Sequence, residues 1–137
     1  MTAKLLILFV IAAAFAQGHA LTQIFLPDES YTFMTNSLIG KSLSIPKSFL
    51  DTLESCEVVF PDGKPYEAYP NNNLPSGAVS FLYSAQPFTA CAIGFRGASV
   101  SYSGTYELYS TVRHRADNSR SLTIQRFHLT LFESSGN

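Results

Sequence analysis

The sequence predicts an all-β, antiparallel sandwich, and three observations support this fold class. Short runs rich in Val, Ile, Phe, Tyr and Thr alternate with segments rich in Pro, Gly, Asn and Asp, which is the pattern of strands joined by turns. No stretch after residue 20 has the apolar spacing of an amphipathic helix. The segment Gly104-Thr105-Tyr106 combines a glycine that permits a tight bend with a tyrosine whose hydroxyl can return to the upstream backbone.

Residues 1–20 have the pattern of a signal peptide. Lys4 supplies a positive charge, residues 5–16 form an apolar run, and Gly18 and Ala20 are the small residues expected before a cleavage site. The run is too short to span a bilayer. We therefore expect a secreted, extracellular protein with one domain at residues 21–137 and no membrane span.

Predicted strands in the first half of the domain end at turn-forming residues. Pro27 and Pro46 stop the first and third, because proline cannot donate a hydrogen bond to a neighbouring strand. Residues 61–64, Pro-Asp-Gly-Lys, place proline and glycine where a hairpin turn requires them. The five strands are predicted at residues 22–26, 31–34, 42–45, 55–60 and 65–69.

The second half begins with a polar, Pro- and Gly-rich loop at residues 70–77. Four strands are predicted after it, at residues 78–83, 88–95, 105–113 and 121–132. In the last one, Leu122 and Ile124 have the opposite parity to Phe127, Leu129 and Leu131. Because a shift of one residue reverses the face of every side chain, a β-bulge near Gln125 and Arg126 is predicted.

Cys56 and Cys91 are the two cysteines of the chain. An even number of cysteines in an oxidising compartment predicts a disulfide bond. Its loop of about 35 residues would contribute on the order of 3–4 kcal/mol to stability. The alternative is a pair of separate, buried thiols.

Three motifs in order resemble a single immunoglobulin-like domain of the type found in secreted and cell-surface proteins of arthropods. They are Cys56-x-x-x-x-Pro61-x-Gly63, then Cys91-x-Ile93-x-Phe95, then Gly104-x-Tyr106-x-Leu108. The resemblance implies an immunoglobulin-like sandwich with Greek-key topology and a non-enzymatic role in binding.

Alignment with the family also indicates one departure, at the disulfide bond between the two sheets. In the family, a disulfide joins the second strand to the corner strand. Here Ile45 and Leu108 occupy those two positions. Cys56 and Cys91 would then form an accessory bridge between the family's third strand, predicted here at residues 55–60, and the strand before the corner. A competing alignment places Cys56 on the second strand, with Cys91 as an unusual partner.

Two surfaces are candidates for binding. Arg113, His114, Arg115 and Arg120 surround the last hairpin, where a basic edge would suit an acidic protein, a glycan or a phospholipid headgroup. Their alternative interpretation is a solvated hairpin tip. The second candidate comprises Tyr66, Tyr69 and Asn72, residue types favoured in binding loops; its alternative is a long turn over a sheet edge.

No catalytic, cofactor or metal site is predicted. His114 could pair with Asp117, but a zinc site needs three or four ligands and no third is evident. The sequence lacks a Gly-x-Ser-x-Gly elbow, and its mature net charge of about −2 does not favour nucleic-acid binding.

The function expected from the sequence is therefore secreted, non-enzymatic recognition of an unknown extracellular protein or glycan. The resemblance suggests defence, signalling or reproductive fluid as its setting. The alternative is a carrier with a cavity for a small apolar ligand or lipid between its sheets. Both a monomer and an edge-paired homodimer are compatible with the sequence.

Overall fold

A computed structural model describes residues 21–42, 50–75, 77–83 and 89–133. The predicted signal peptide and Ile45 lie outside the described residues. The described part contains nine strands and one short 3₁₀ turn at Val100–Tyr102. The strands are Leu21–Phe25 (β1), Glu29–Met34 (β2), Leu38–Ser42 (β3), Thr52–Val59 (β4), Pro65–Tyr69 (β5), Val79–Phe81 (β6), Ala92–Arg96 (β7), Gly104–Arg113 (β8) and Arg120–Phe132 (β9).

The strands form two sheets. The six-stranded sheet has the order β1-β9-β8-β4-β5, and β2 also pairs with β9. Both β1 and β2 run parallel to β9, while the other pairs of this sheet are antiparallel. The three-stranded sheet has the order β3-β7-β6 and is antiparallel. The all-β sandwich predicted from the sequence is therefore confirmed.

Large apolar side chains from both sheets fill the space between them. Tyr106 and Phe127 of the six-stranded sheet stack at 5.1 Å, and Phe95 of the other sheet meets Tyr106 edge-on at 5.4 Å. Cys56 on β4 and Cys91, directly before β7, form a fully buried disulfide across the two sheets. Leu108 is also fully buried.

The corner before β8 is closed by a tyrosine. The Tyr106 hydroxyl donates a hydrogen bond of 2.6 Å to the backbone carbonyl of Tyr102, four residues upstream. Burial raises the pKa of this hydroxyl, which is therefore a neutral donor at physiological pH. The contact fixes the bend through which the chain enters β8.

The predicted bulge near Gln125 and Arg126 was wrong. β8 and β9 pair in one continuous register from Gly104–Leu129 to Arg113–Arg120. The apolar residues change parity because both faces of this sheet are covered. Phe127, Leu129 and Leu131 belong to the main core, whereas Leu122 and Ile124 form a second cluster with Val59 and Tyr109 on the outer face.

The topology gives the place of each cysteine. β4, which contains Cys56, pairs with β5 and with the corner strand β8 in the six-stranded sheet, whereas β7, which follows Cys91, pairs with β3 in the other sheet. The disulfide therefore joins β4 to the residue before β7 and does not involve the corner strand.

Candidate functional site

The β8–β9 hairpin and the residues before β4 form one corner of the domain, which we call the tip surface (residues 50–52 and 113–120). The hairpin closes through hydrogen bonds from His114 N to Ser119 O and from Asn118 N to His114 O, both 2.8 Å. Asn118 has a φ of 59°, a left-handed conformation that asparagine tolerates well. Local turn chemistry therefore presents the predicted basic residues at the end of the sheet.

A chain of three side chains holds the tip surface together. Asp51 Oδ2 accepts a hydrogen bond from His114 Nδ1 at 2.7 Å, and Ser121 Oγ lies 2.9 Å from His114 Nε2. Asp51 Oδ1 also accepts from the backbone N–H of Arg115 at 3.1 Å. We call Asp51, His114 and Ser121 the clamp, since it ties the start of β4 to the β8–β9 hairpin.

His114 bonds to Asp51 rather than to Asp117, which the sequence offers as a possible partner. Asp117 Oδ1 instead accepts bonds from the backbone N–H and the hydroxyl of Ser119, at 3.0 and 2.6 Å. These bonds lower the pKa of Asp117. The carboxylate that His114 uses is 63 residues away in sequence, at Asp51, and no local pattern indicates it.

The clamp has the order of a Ser-His-Asp triad, in which the aspartate orients the imidazole and the imidazole contacts the hydroxyl. In a triad, the serine hydroxyl must also reach the substrate. Ser121 is only 3% exposed, and it lies opposite Val112, a fully buried residue of β8. We therefore interpret the clamp as a structural network that orients the hairpin.

The predicted basic residues of the tip surface differ in how closely each is paired with a carboxylate. Arg120, whose side chain is 15% exposed, binds Glu54 through two nitrogens at 2.7 and 3.3 Å. Arg113 shares the same carboxylate at 3.8 Å, and its side chain is 46% exposed. Because Arg120 occupies Glu54, Arg113 remains the more available cation.

A cavity of about 370 Å³ lies at this corner and is lined by Leu50, Thr52, Arg113, Arg115 and Asn118. Leu50 contributes an apolar side chain that is 53% exposed. Two guanidinium groups and an amide beside it favour an anionic group with an apolar neighbour, because arginine binds carboxylates with a planar fork of donors. The sequence had indicated Arg113 and Arg115, but not Leu50 or Thr52.

The second candidate surface lies at the β5 edge and in the following loop. Tyr66 packs against Phe60 with ring centroids 5.0 Å apart, and Tyr69 packs against Phe81 at 5.1 Å. Both tyrosines are partly buried against the main core, whereas Asn72 is exposed with a φ of 47°. Most of the aromatic surface of this candidate therefore supports packing rather than recognition.

An acidic pair occupies the outer face of the six-stranded sheet. Glu57 on β4 lies directly opposite Glu67 on β5 and opposite Tyr109 on β8. Burial, and then the neighbouring Glu67 carboxylate, raises the pKa of Glu57 to about 6. The hydroxyl of Tyr109 donates to Glu107 at 3.1 Å. Glu57 was not among the predicted functional residues, because a single glutamate in a strand is an ordinary surface residue.

Replacing Glu57 with glutamine is expected to stabilise the domain at neutral pH. The ordinary pKa of 4.5 is raised to about 6 on folding, so the native state binds more protons between these values and stability falls as pH rises through them. After a discount for the solvent exposure of the side chain, Glu57→Gln should raise the free energy of unfolding by about 1 kcal/mol near pH 7.5 and leave it unchanged near pH 4.

Urea denaturation at both pH values measures this difference, with the exposed Glu133→Gln as the matched control. An equal effect of Glu57→Gln at the two pH values would contradict the assignment.

Solved structures of other proteins share the fold of this chain. No protein-family model matches the sequence, and no curated protein matches it either. Among solved structures, murine CRIg is similar with a TM-score of 0.59 and 8% identity, over 77% of this chain and 93% of that one. A structure of Dpr1 IG1 bound to DIP-eta IG1 is similar with a TM-score of 0.53 and 7% identity, over 78% and 92%.

The chain has an immunoglobulin-like fold. Identities this low show the fold alone. Within the residues that the structure describes, no helix is long and apolar enough to cross a membrane. The same residues contain no group of three or more His, Cys, Asp or Glu side chains that could hold a metal ion.

Proposed function

We propose that this protein is a secreted, non-enzymatic recognition domain that binds an acidic group of another extracellular protein at its tip surface. The cavity between Arg113 and Arg115, with Leu50 beside it, is the observation that supports this function best. A glutamate or aspartate next to an apolar residue matches that lining, because the guanidinium groups can bind the carboxylate while Leu50 contacts the apolar neighbour.

The clamp supports the proposal by giving the cavity a fixed shape. Asp51 bonds to the backbone N–H of Arg115 and to the ring of His114, so the backbone that presents Arg113 and Arg115 is held on two sides. A binding site whose backbone is already ordered loses less conformational entropy when the partner binds.

Secretion is supported by the signal-peptide pattern of residues 1–20. The Cys56–Cys91 disulfide is consistent with it, since such bonds persist in oxidising compartments. Pairing between immunoglobulin-like domains is the first class of partner to test, because the similar Dpr1 domain is described as bound to another such domain. Defence, signalling or reproductive fluid remain the settings that the resemblance to arthropod domains suggests.

A carrier for a small apolar ligand is less well supported. Such a carrier needs a cavity of about 300 Å³ or more between its sheets. Between the described strands, that space is filled by the side chains of Phe95, Tyr106 and Phe127 and by the disulfide, all of them 1% exposed or less. The cavity of about 370 Å³ lies at the tip surface instead.

The proposal can be tested with the purified protein displayed as a multimer and screened against a panel of extracellular domains. A true partner should lose at least tenfold in affinity when Arg113 and Arg115 are both changed to glutamate, because a favourable charge pair becomes a repulsive one. The matched control is Arg96→Glu, an exposed arginine on the three-stranded sheet. Partners whose binding ignores the tip variant but responds to the control would overturn the proposal.

A further inference from the structure

β2 is an edge strand of the six-stranded sheet. It pairs with β9 along one side, and no described strand pairs with its other side. Thr35 N donates a hydrogen bond of 2.8 Å to Phe132 O, so the backbone groups of the odd-numbered residues of β2 point toward β9. Those of Ser30, Thr32 and Met34 therefore point away from β9, and they form a row of donors and acceptors along the edge.

This strand lacks the features that usually protect an edge. Exposed edges are commonly blunted by lysine, by proline or by a β-bulge. Residues 29–34 contain no proline and no basic residue, and their register with β9 is unbroken. Their one charged side chain, Glu29, is already bonded to Lys41 of β3 and to the Tyr31 hydroxyl. The edge is therefore open to another strand.

The side chains beside this edge are exposed. Ser30 and Thr32 are accessible, and so is Thr130, which lies directly opposite Thr32 on β9. Met34 and Phe132, which also lie opposite each other, are 46% and 45% exposed. A strand that paired with β2 would therefore meet accessible side chains as well as accessible backbone groups.

The row of backbone groups is complementary to itself. In a pair related by a two-fold axis, residue i of one copy faces residue j of the other, and j faces i. With Thr32 on the axis of an antiparallel pair, the two copies of Thr32 exchange their N–H and C=O groups, and Ser30 faces Met34 of the other copy. The Met34 carbonyl already accepts from Ser37 N at 3.3 Å, so the Met34 N–H makes the outer bond, to the Ser30 carbonyl.

The side chains also match in this register. One row across the junction contains Thr130 and Thr32 of one copy, followed by Thr32 and Thr130 of the other. Threonine suits strands, and cross-strand threonine pairs stabilise sheets. The neighbouring row places Met34, flanked by Phe132, beside Ser30 of the other copy, which covers part of the exposed apolar surface. None of these residues is charged, so a second copy fits this edge without repulsion.

We propose that two copies of this chain associate through their β2 strands, in an antiparallel pair with Thr32 on the two-fold axis. Strands of 6 residues give a contact about 20 Å long, which is small and typical of weak, transient complexes. This contact is independent of the proposed function, because the tip surface lies at the other end of β9, where Arg120 begins the strand. Pairing leaves both tip surfaces accessible.

Charge at position 32 tests the register, because this residue faces its own copy across the axis. By sedimentation equilibrium at concentrations up to about 500 µM, the wild type should dimerise. Thr32→Lys and Thr32→Glu should each weaken dimerisation at least tenfold, since each places like charges opposite one another. An equimolar mixture of the two variants should form a heterodimer, because the facing charges are then opposite.

Thr22 provides the matched control, because it is an exposed threonine on β1, which also borders β9. Thr22→Lys and Thr22→Glu should leave dimerisation unchanged.

Thr32→Pro tests the backbone contact. Because the Thr32 N–H points away from β9, proline removes only the outward donor, and proline is tolerated at such edge positions. This variant should melt cooperatively but stay monomeric. In the wild type, the Thr32 amide hydrogen should exchange with solvent at least twofold more slowly at about 500 µM than at about 20 µM, because pairing protects it.

A wild type that stays monomeric would overturn the inference. Dimers that persist in Thr32→Pro would do the same, because the contact would then not involve this strand. A mixture of the two charged variants that stays monomeric would exclude the register, and equal loss in the Thr22 variants would exclude the β2 edge as the specific site. None of these outcomes involves Arg113 or Arg115, so binding of another extracellular protein at the tip surface is tested separately.

Discussion

Removing the disulfide by changing Cys56 and Cys91 to alanine is expected to lower the free energy of unfolding by about 4 kcal/mol. The bond closes a loop of 35 residues, and the chain-entropy relation for a loop of this length gives about 3.8 kcal/mol at 25 °C. A small domain is stable by only about 5–15 kcal/mol. The bond therefore provides a large part of the total.

The position of the disulfide explains why its removal should act mainly through the unfolded state. Both cysteines are fully buried, among apolar neighbours that remain in place when the sulfur atoms are removed, including Val58 and Leu108. The unfolded chain, in contrast, gains freedom and exposes more surface. We therefore expect the slope of a urea denaturation curve to rise as the midpoint falls.

Urea denaturation of the wild type and the double variant, with and without dithiothreitol, measures both quantities. The wild type should lose stability in the reductant, and the variant should be insensitive to it. Equal stability of the two proteins without reductant would contradict the prediction.

Local chemistry explains which elements could be predicted from the sequence. β5 was predicted at its observed bounds, Pro65–Tyr69, because the turn at residues 61–64 and the following Pro70 mark both of its ends. β8 was predicted to within one residue, since Gly104 begins it and the polar turn after Arg113 ends it. Turn-forming residues act over a few positions, so a single sequence contains enough information to place them.

Face assignment in β9 and the geometry of the clamp depend on distant parts of the chain. The sequence shows that Leu122 and Phe127 have opposite parity, but not that a second apolar cluster covers the outer face of the sheet. Likewise, His114 and Asp51 meet only because β4 and β8 are neighbours in the six-stranded sheet. The basic residues of the tip surface could be predicted, but Leu50 and the other lining residues that make a cavity there could not.

Gly104 is the second position where a single change should have a large effect. Its φ is +146°, and a Cβ atom at this position would lie 2.6 Å from both Cβ and Cγ of Pro61. An L-residue held in such a backbone conformation costs about 1–3 kcal/mol, and forcing an atom into a packed contact costs about 1–3 kcal/mol more. Gly104→Ala should therefore lower the free energy of unfolding by about 4 kcal/mol, or the melting temperature by roughly 15 °C.

Gly63→Ala separates the two causes, because Gly63 also has a positive φ, +85°, but its added Cβ would meet nothing within 4 Å. This control should show the backbone cost alone, about 1 kcal/mol. The double variant Pro61→Gly with Gly104→Ala removes the clashing ring, and thermal melts should show that its cost is smaller than the sum of the two single changes. Strict additivity would mean that the turn after β4 does not press against Gly104. A cost smaller than the sum would show that this turn packs against the corner that leads into β8. Both lie at the end of the sheet opposite the tip surface.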